Sequence, residues 1–134
     1  MNWSGDLTGT ATTQFVSMNA AKSVAASFGR PFADPALIPG TSIIRLVHIT
    51  DLRTRIDAAR VVAGLSPFAW ADPGLAAGDF VRAQHILDLR TALAEVYVQR
   101  TLTPPTYTDP GLGPGTTMKA AHINELRAAV IAVE

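Results

Sequence analysis

Three histidines stand 37 residues apart, at His48, His85 and His122, and each heads the same short string. The strings read His48-Ile49-Thr50-Asp51-Leu52-Arg53, His85-Ile86-Leu87-Asp88-Leu89-Arg90 and His122-Ile123-Asn124-Glu125-Leu126-Arg127. Upstream of each lies an Asp-Pro pair: Asp34-Pro35, Asp72-Pro73 and Asp109-Pro110. These residue types can hold a divalent cation, move a proton, or tie a loop to a helix through charge-assisted hydrogen bonds. Spacing discriminates among the three. A His and a carboxylate three residues on share one helix face, so His48/Asp51, His85/Asp88 and His122/Glu125 offer two ligands per repeat. Zinc-type sites take three or four ligands, and packed helix axes lie roughly 8–10 Å apart, too far for one ion to draw on two repeats. The expectation is no metal and no cofactor, with each ring half-buried and bonded to a backbone carbonyl or to the loop Asp. Arg53, Arg90 and Arg127 read in the same way. Each guanidinium fork suits a clamp on Asp34, Asp72 or Asp109 of its own or the next repeat, the alternative being a solvated face of little energetic worth.

Other chemistries find less support. A calcium loop begun at Asp109 would need oxygen ligands where Gly111 and Gly113 stand and a glutamate where Ala120 stands. Phe32, Trp70 and Tyr107, one aromatic ahead of each Asp-Pro, form either a sugar-stacking ladder or, more commonly, anchors that hold loops to a core. No phosphate loop, nucleophile elbow or catalytic carboxylate pair is visible, so no catalytic residue is expected.

The elements that position these residues follow from period and punctuation. Apolar residues at Leu52, Ile56, Ala59 and Val62, at Leu89, Leu93 and Val96, and at Leu126, Val130 and Val133 recur with helical spacing. Ser42, Asp79 and Thr116, six residues before each His, are suited to cap helix starts. The spacing predicts long helices over 43–63, 80–100 and 117–133, ended by Gly64 after the first and by Pro104-Pro105 after the second. Each Asp-Pro segment, with Leu37, Leu75 or Leu112 and then Gly40, Gly78 or Gly115, predicts one helical turn or a turn that imitates it, left through a left-handed glycine. The linking loops are long enough to return the chain to the same end, so parallel and antiparallel packing both remain open. A further stripe at Phe15, Met18, Ala21, Val24, Ala25 and Phe28, closed by Gly29 and Pro31, predicts a helix over 14–28. Residues 1–13, rich in Gly, Ser and Thr, read as an arm with one short extended segment around Leu7–Thr13. The fold class is thus all-α: about four helices in tandem, joined by ordered Asp-Pro/Gly loops. Residues 14–31 would form a partial repeat, followed by repeats over 32–67, 68–105 and 106–134.

Composition narrows the setting. Eleven basic and eleven acidic residues cancel, so nothing marks a nucleic-acid face or an acidic tail. Charged residues make up only 16% of the chain, against roughly 25% in an average domain. A surface so poor in charge resists self-association badly, which predicts a homo-oligomer or a face covered by a neighbouring domain. The absence of cysteine excludes disulfides and thiolate ligands. The first residues show no signal peptide, and no apolar run is long enough to span a membrane.

The string Tyr107-Thr108-Asp109-Pro110, Leu112, Gly115-Thr116, Lys119-Ala120-Ala121-His122-Ile123-Asn124-Glu125-Leu126-Arg127 resembles a tandem repeat of large exported bacterial proteins. Its pattern there is roughly T-D-P-x-L-x-x-G-x-T-x-I-[RK]-A-x-H-[IL]-x-E-L-R, often downstream of fibronectin type III or similar surface modules. The resemblance covers residues 32–134, and the second repeat departs most, with Asp79 for the usual Thr and Gln84 before its His. It implies an extracellular or cell-surface setting and a structural or adhesive role, and it carries over no activity. Together these readings predict a non-enzymatic structural module that self-associates, as a filament or surface-layer-like subunit. The alternatives are an adhesion module for a glycan or protein, and a weak divalent-metal site.

Overall fold

The computed structural model describes residues 2–6, 8, 13–27, 31–34 and 37–134. The chain divides into two compact parts, Met1–Pro31 and Phe32–Glu134.

In the first part, β1 (Asn2–Gly5) pairs antiparallel with β2 (Val24–Ser27), Asn2 opposite Ser27 and Gly5 opposite Val24. Asp6 extends the pairing, its N–H donating to the Ser23 carbonyl and its carboxylate accepting from the Ser23 N–H at 2.9 Å. This corrects the helix expected over 14–28. Residues 14–23 are irregular and 24–27 are strand, while Phe28 and Gly29 lie outside the described residues, as do most of those in the extended segment expected around Leu7–Thr13. The stripe has no face to pack on, since Phe15 and Met18 are 94% and 71% exposed. Without such packing a short helix is marginal, and the Ser and Asn residues interspersed here are weak helix formers. Residues 14–27 therefore form no fourth helix, and residues 14–31 fall with the arm in the first compact part.

The second part is helical, with α1 (Leu46–Val62), α2 (Ala83–Gln99) and α3 (Ala120–Ile131). Each helix begins three residues later than the Ser/Asp/Thr caps predict. Those side chains serve the preceding turn: Ser42 accepts from the Ile38 N–H, Asp79 from Ala76 and Thr116 from Gly113, at 2.8, 2.7 and 3.1 Å. Gly40, Gly78 and Gly115 take left-handed φ of 75°, 103° and 83° as expected, but the segments after Asp72-Pro73 and Asp109-Pro110 bend and turn without completing a helical turn.

The core is stacked in layers of equivalent residues. Ile49, Ile86 and Ile123 are fully buried, as are Leu52, Leu89 and Leu126, and then Ile56, Leu93 and Val130. Val62, expected in the stripe, is instead 77% exposed at the end of α1. Leu37 and Leu112 are buried from the loops, and Leu75 packs against the same core. The helices are parallel and meet in a cycle. Arg60 near the end of α1 donates to the Ala92 carbonyl in mid-α2 at 3.0 Å. Tyr97, its equivalent in α2, donates to Ala129 of α3 at 2.8 Å. Glu134, the next equivalent, accepts from Arg55 of α1 at 2.6 and 2.8 Å. The same axial offset recurs at each step, which antiparallel neighbours cannot provide, and the third step returns to the first helix.

Candidate functional site

The three histidines sit at the third residue of their helices and are wholly buried. Nδ1 of each accepts the backbone N–H of the residue just before its helix: Arg45 at 3.1 Å, Arg82 at 3.2 Å and Lys119 at 3.3 Å. A nitrogen that accepts a backbone N–H carries a lone pair, so the proton is on Nε2. Nε2 donates to the loop carboxylate, His48 to Asp34 at 3.0 Å, His85 to Asp72 and His122 to Asp109 at 2.8 Å. The imidazole thus does the work of a capping-box glutamate with one edge and holds its loop with the other. The basic residue ahead of each helix closes on the same carboxylate: Arg45 on Asp34, Arg82 on Asp72 at 3.7 Å and Lys119 on Asp109 at 2.8 Å. These partners draw the carboxyls below the usual range. The His48 and His85 N–H groups lead for Asp34 and Asp72. For Asp109 the Lys119 ammonium leads and His122 follows, lowering it to about 2.

The acid of each string points elsewhere. Asp51 accepts the Ala33 N–H at 3.1 Å, Asp88 accepts Ala71 at 2.9 Å and Glu125 accepts Thr108 at 3.2 Å. His and acid share a helix face yet grip two different points of one loop. That separates the metal pairs considered from spacing, and among the described residues no group of three or more His, Asp or Glu side chains could hold an ion.

Arginine supplies the link between repeats. Arg53 donates through Nη1 to the main-chain carbonyl of Asp72 at 2.6 Å, Arg90 to that of Asp109 at 2.6 Å, and Arg127 to that of Asp34 at 2.5 Å. The expected grip on the carboxylate is corrected here, because His and the basic residue ahead of the helix already hold the side chain. Each guanidinium also lies over the aromatic ring of the repeat it clamps, 4.9 Å from Trp70, 4.2 Å from Tyr107 and 4.7 Å from Phe32. All three arginines are nine-tenths or more buried. Burial pulls Arg53 and Arg127 below the usual arginine value, opposed by Asp88 and Asp51 respectively at the head of the next helix in the cycle. Arginine covers one face of each ring that a ladder would offer to sugars, and Trp70 also spends its indole N–H on Asp57 at 3.0 Å. Burial raises the Tyr107 hydroxyl to about 12.

A cleft of about 240 Å³ opens beside the second joint, with Asp72, Leu75, Asp79, Phe80 and His85 in its wall. Both nitrogens of that His are already bonded. The arrangement makes three interlocked joints, each His fastening its own loop and each Arg the next. Sequence reasoning missed Arg55, Arg60, Tyr97 and Glu134, which link the other ends of the helices and follow no common residue type.

Comparison with protein-family models, with curated proteins and with solved structures finds no match to this chain. Among the described residues no helix is long and apolar enough to cross a membrane.

Proposed function

We propose that this chain is a non-enzymatic structural module of an exported or cell-surface bacterial protein, and that it works by self-association. One observation carries the reading. The histidines, the residues whose type most suggests chemistry, are spent on structural bonds, with both nitrogens of each engaged and each ring fully buried. A general base or a metal ligand needs a free nitrogen facing its substrate or ion. A repeated joint needs the opposite.

Self-association is supported by the sparse charge and by large apolar side chains on the outside of the helical body, Ile43 and Phe80 at 78% and 83% exposed. The cell-surface setting rests on the repeat pattern alone. Closing of the third repeat on the first removes the free ends through which open repeats would stack, so an end-to-end filament needs that closure to give way. Light scattering and sedimentation over a wide concentration range test the proposal. Mass that rises with concentration supports it, and a strict monomer throughout refutes it.

A further inference from the structure

The three seams of the helical body share one clamp, an arginine on the carbonyl of the neighbouring loop Asp, but one seam lacks a peptide connection. Residues 63–82 link the first helix to the second, and residues 100–119 link the second to the third. Among the described residues the third repeat meets the first through side-chain contacts alone. Arg127 reaches the Asp34 carbonyl at 2.5 Å and covers Phe32 at 4.7 Å. Asn124 donates to the Leu37 carbonyl at 2.9 Å, and Arg55 grips Glu134 at 2.6 and 2.8 Å. The two sides of this seam are complementary and unlike, so the face carried by the third repeat fits the first repeat of any copy. Head-to-tail contacts of this kind close within one chain or run between chains by the same bonds.

The segment leading into the third repeat carries backbone strain that opening would relieve. Residues 101–104 are exposed, and Thr101 is held at φ 57°, a conformation unfavourable for a β-branched residue. Pro104-Pro105 follow and favour extended backbone. Straightening this segment releases Thr101 and swings the third repeat away from its own first repeat.

We propose that a second copy of this chain docks at the closing seam, the third repeat of one copy on the first repeat of its partner and reciprocally. This rests on the self-association proposed above and supplies its contact. The exchanged dimer makes the same seams as two closed monomers. Where partners do not reciprocate, the same contact runs on as an open chain of copies. Closure within one copy competes with an effective concentration on the order of millimolar, so exchange is favoured by folding at high density or by crowding of copies on a surface.

Charge reversal tests the seam. Arg55→Glu alone and Glu134→Arg alone each set like charges against each other in a closed monomer. When the two variants are unfolded together and refolded at millimolar concentration, native mass spectrometry should show dimers holding one copy of each, about tenfold or more over either like dimer. Only the mixed dimer regains opposite charges at both seams. A single variant that fails to fold alone but folds on mixing supports exchange equally. The double variant Arg55→Glu/Glu134→Arg, which restores opposite charges within one chain, should fold by itself. If it folds while the single variants stay apart or pair at random, exchange at this seam is refuted. Wild-type association that persists in that case leaves the proposed function standing with another contact, whereas a monomeric wild type removes both.

Discussion

The two ends of the helices are built on opposite plans. At the starts one residue set recurs without change of role: His at the third helical position, Asp in the loop, Arg reaching forward to the next loop. Toward the other end the equivalent positions hold Arg60, Tyr97 and Glu134, side chains with nothing in common, yet each spans to the neighbouring helix at the same level. The first plan depends on chemistry that few side chains share, an acceptor and a donor on opposite edges of one ring and a fork flat enough to stack. The second needs only a polar group of suitable reach. Sequence therefore repeats where the bonds are demanding, and geometry repeats where they are not.

That contrast is broken most easily at a histidine. His85→Ala leaves the Arg82 N–H without its partner, takes one of two partners from the Asp72 carboxylate and opens a buried void. The expected loss is about 3–4 kcal/mol, from unpaired polar groups and cavity together, read from urea unfolding. A loss below that of Tyr97→Phe would undo the distinction between the two ends. Arg90→Lys keeps the charge but gives up planar stacking on Tyr107 and the fixed aim at the Asp109 carbonyl, and should cost about 1–2 kcal/mol.

Acid probes the same joint through Asp109, whose carboxyl is held at about 2 against about 3.9 in an unfolded chain. A folded value below the unfolded one means that the ionised carboxylate stabilises fully above about pH 4 and loses that effect as pH falls toward 2. The Tm difference between wild type and Asp109→Asn should accordingly be widest near neutrality and shrink below about pH 4. A difference that stays constant down to pH 2 would show that Asp109 does not act as an anion.

At the helix ends the effects shrink. Tyr97→Phe deletes one hydrogen bond to the Ala129 carbonyl while keeping the ring, and about 1 kcal/mol is expected. A loss several times larger would give that end the same stringency as the starts.

How much was legible in the sequence divides along the same line. The His, Asp and Arg columns were visible because they repeat, and a loop clamped to a helix followed from their types. The true helix starts were missed because Ser42, Asp79 and Thr116 match the usual cap, whereas an imidazole accepting at Nδ1 does not. The signal was a basic residue three before each His, with no other capping side chain near it. Parallel packing and closure were illegible, since a 37-residue period makes repeats equivalent without saying whether the last meets the first. The stripe at Phe15 and Met18 misled because period alone does not supply a surface to pack on.

The smallest expected effect sits at a position where the repeats can be laid over one another directly. Gly64, just past α1, takes φ 80°, and its equivalent 37 residues on is Thr101 at φ 57°. Both end their helix in the same way, with the N–H of Leu65 on the Arg60 carbonyl and that of Leu102 on the Tyr97 carbonyl, each at 2.8 Å. A left-handed threonine costs on the order of 1 kcal/mol or more, and glycine relieves it while adding freedom to the unfolded chain worth about 0.4–1 kcal/mol. Thr101→Gly should therefore stabilise the closed body by about 0.5 kcal/mol, seen as a small rise in Tm. Because the strain lies in the segment that opens for exchange, the same substitution should also lower the dimer fraction after refolding at high concentration. A stabilised variant that exchanges as readily as wild type would place the hinge elsewhere in residues 100–119.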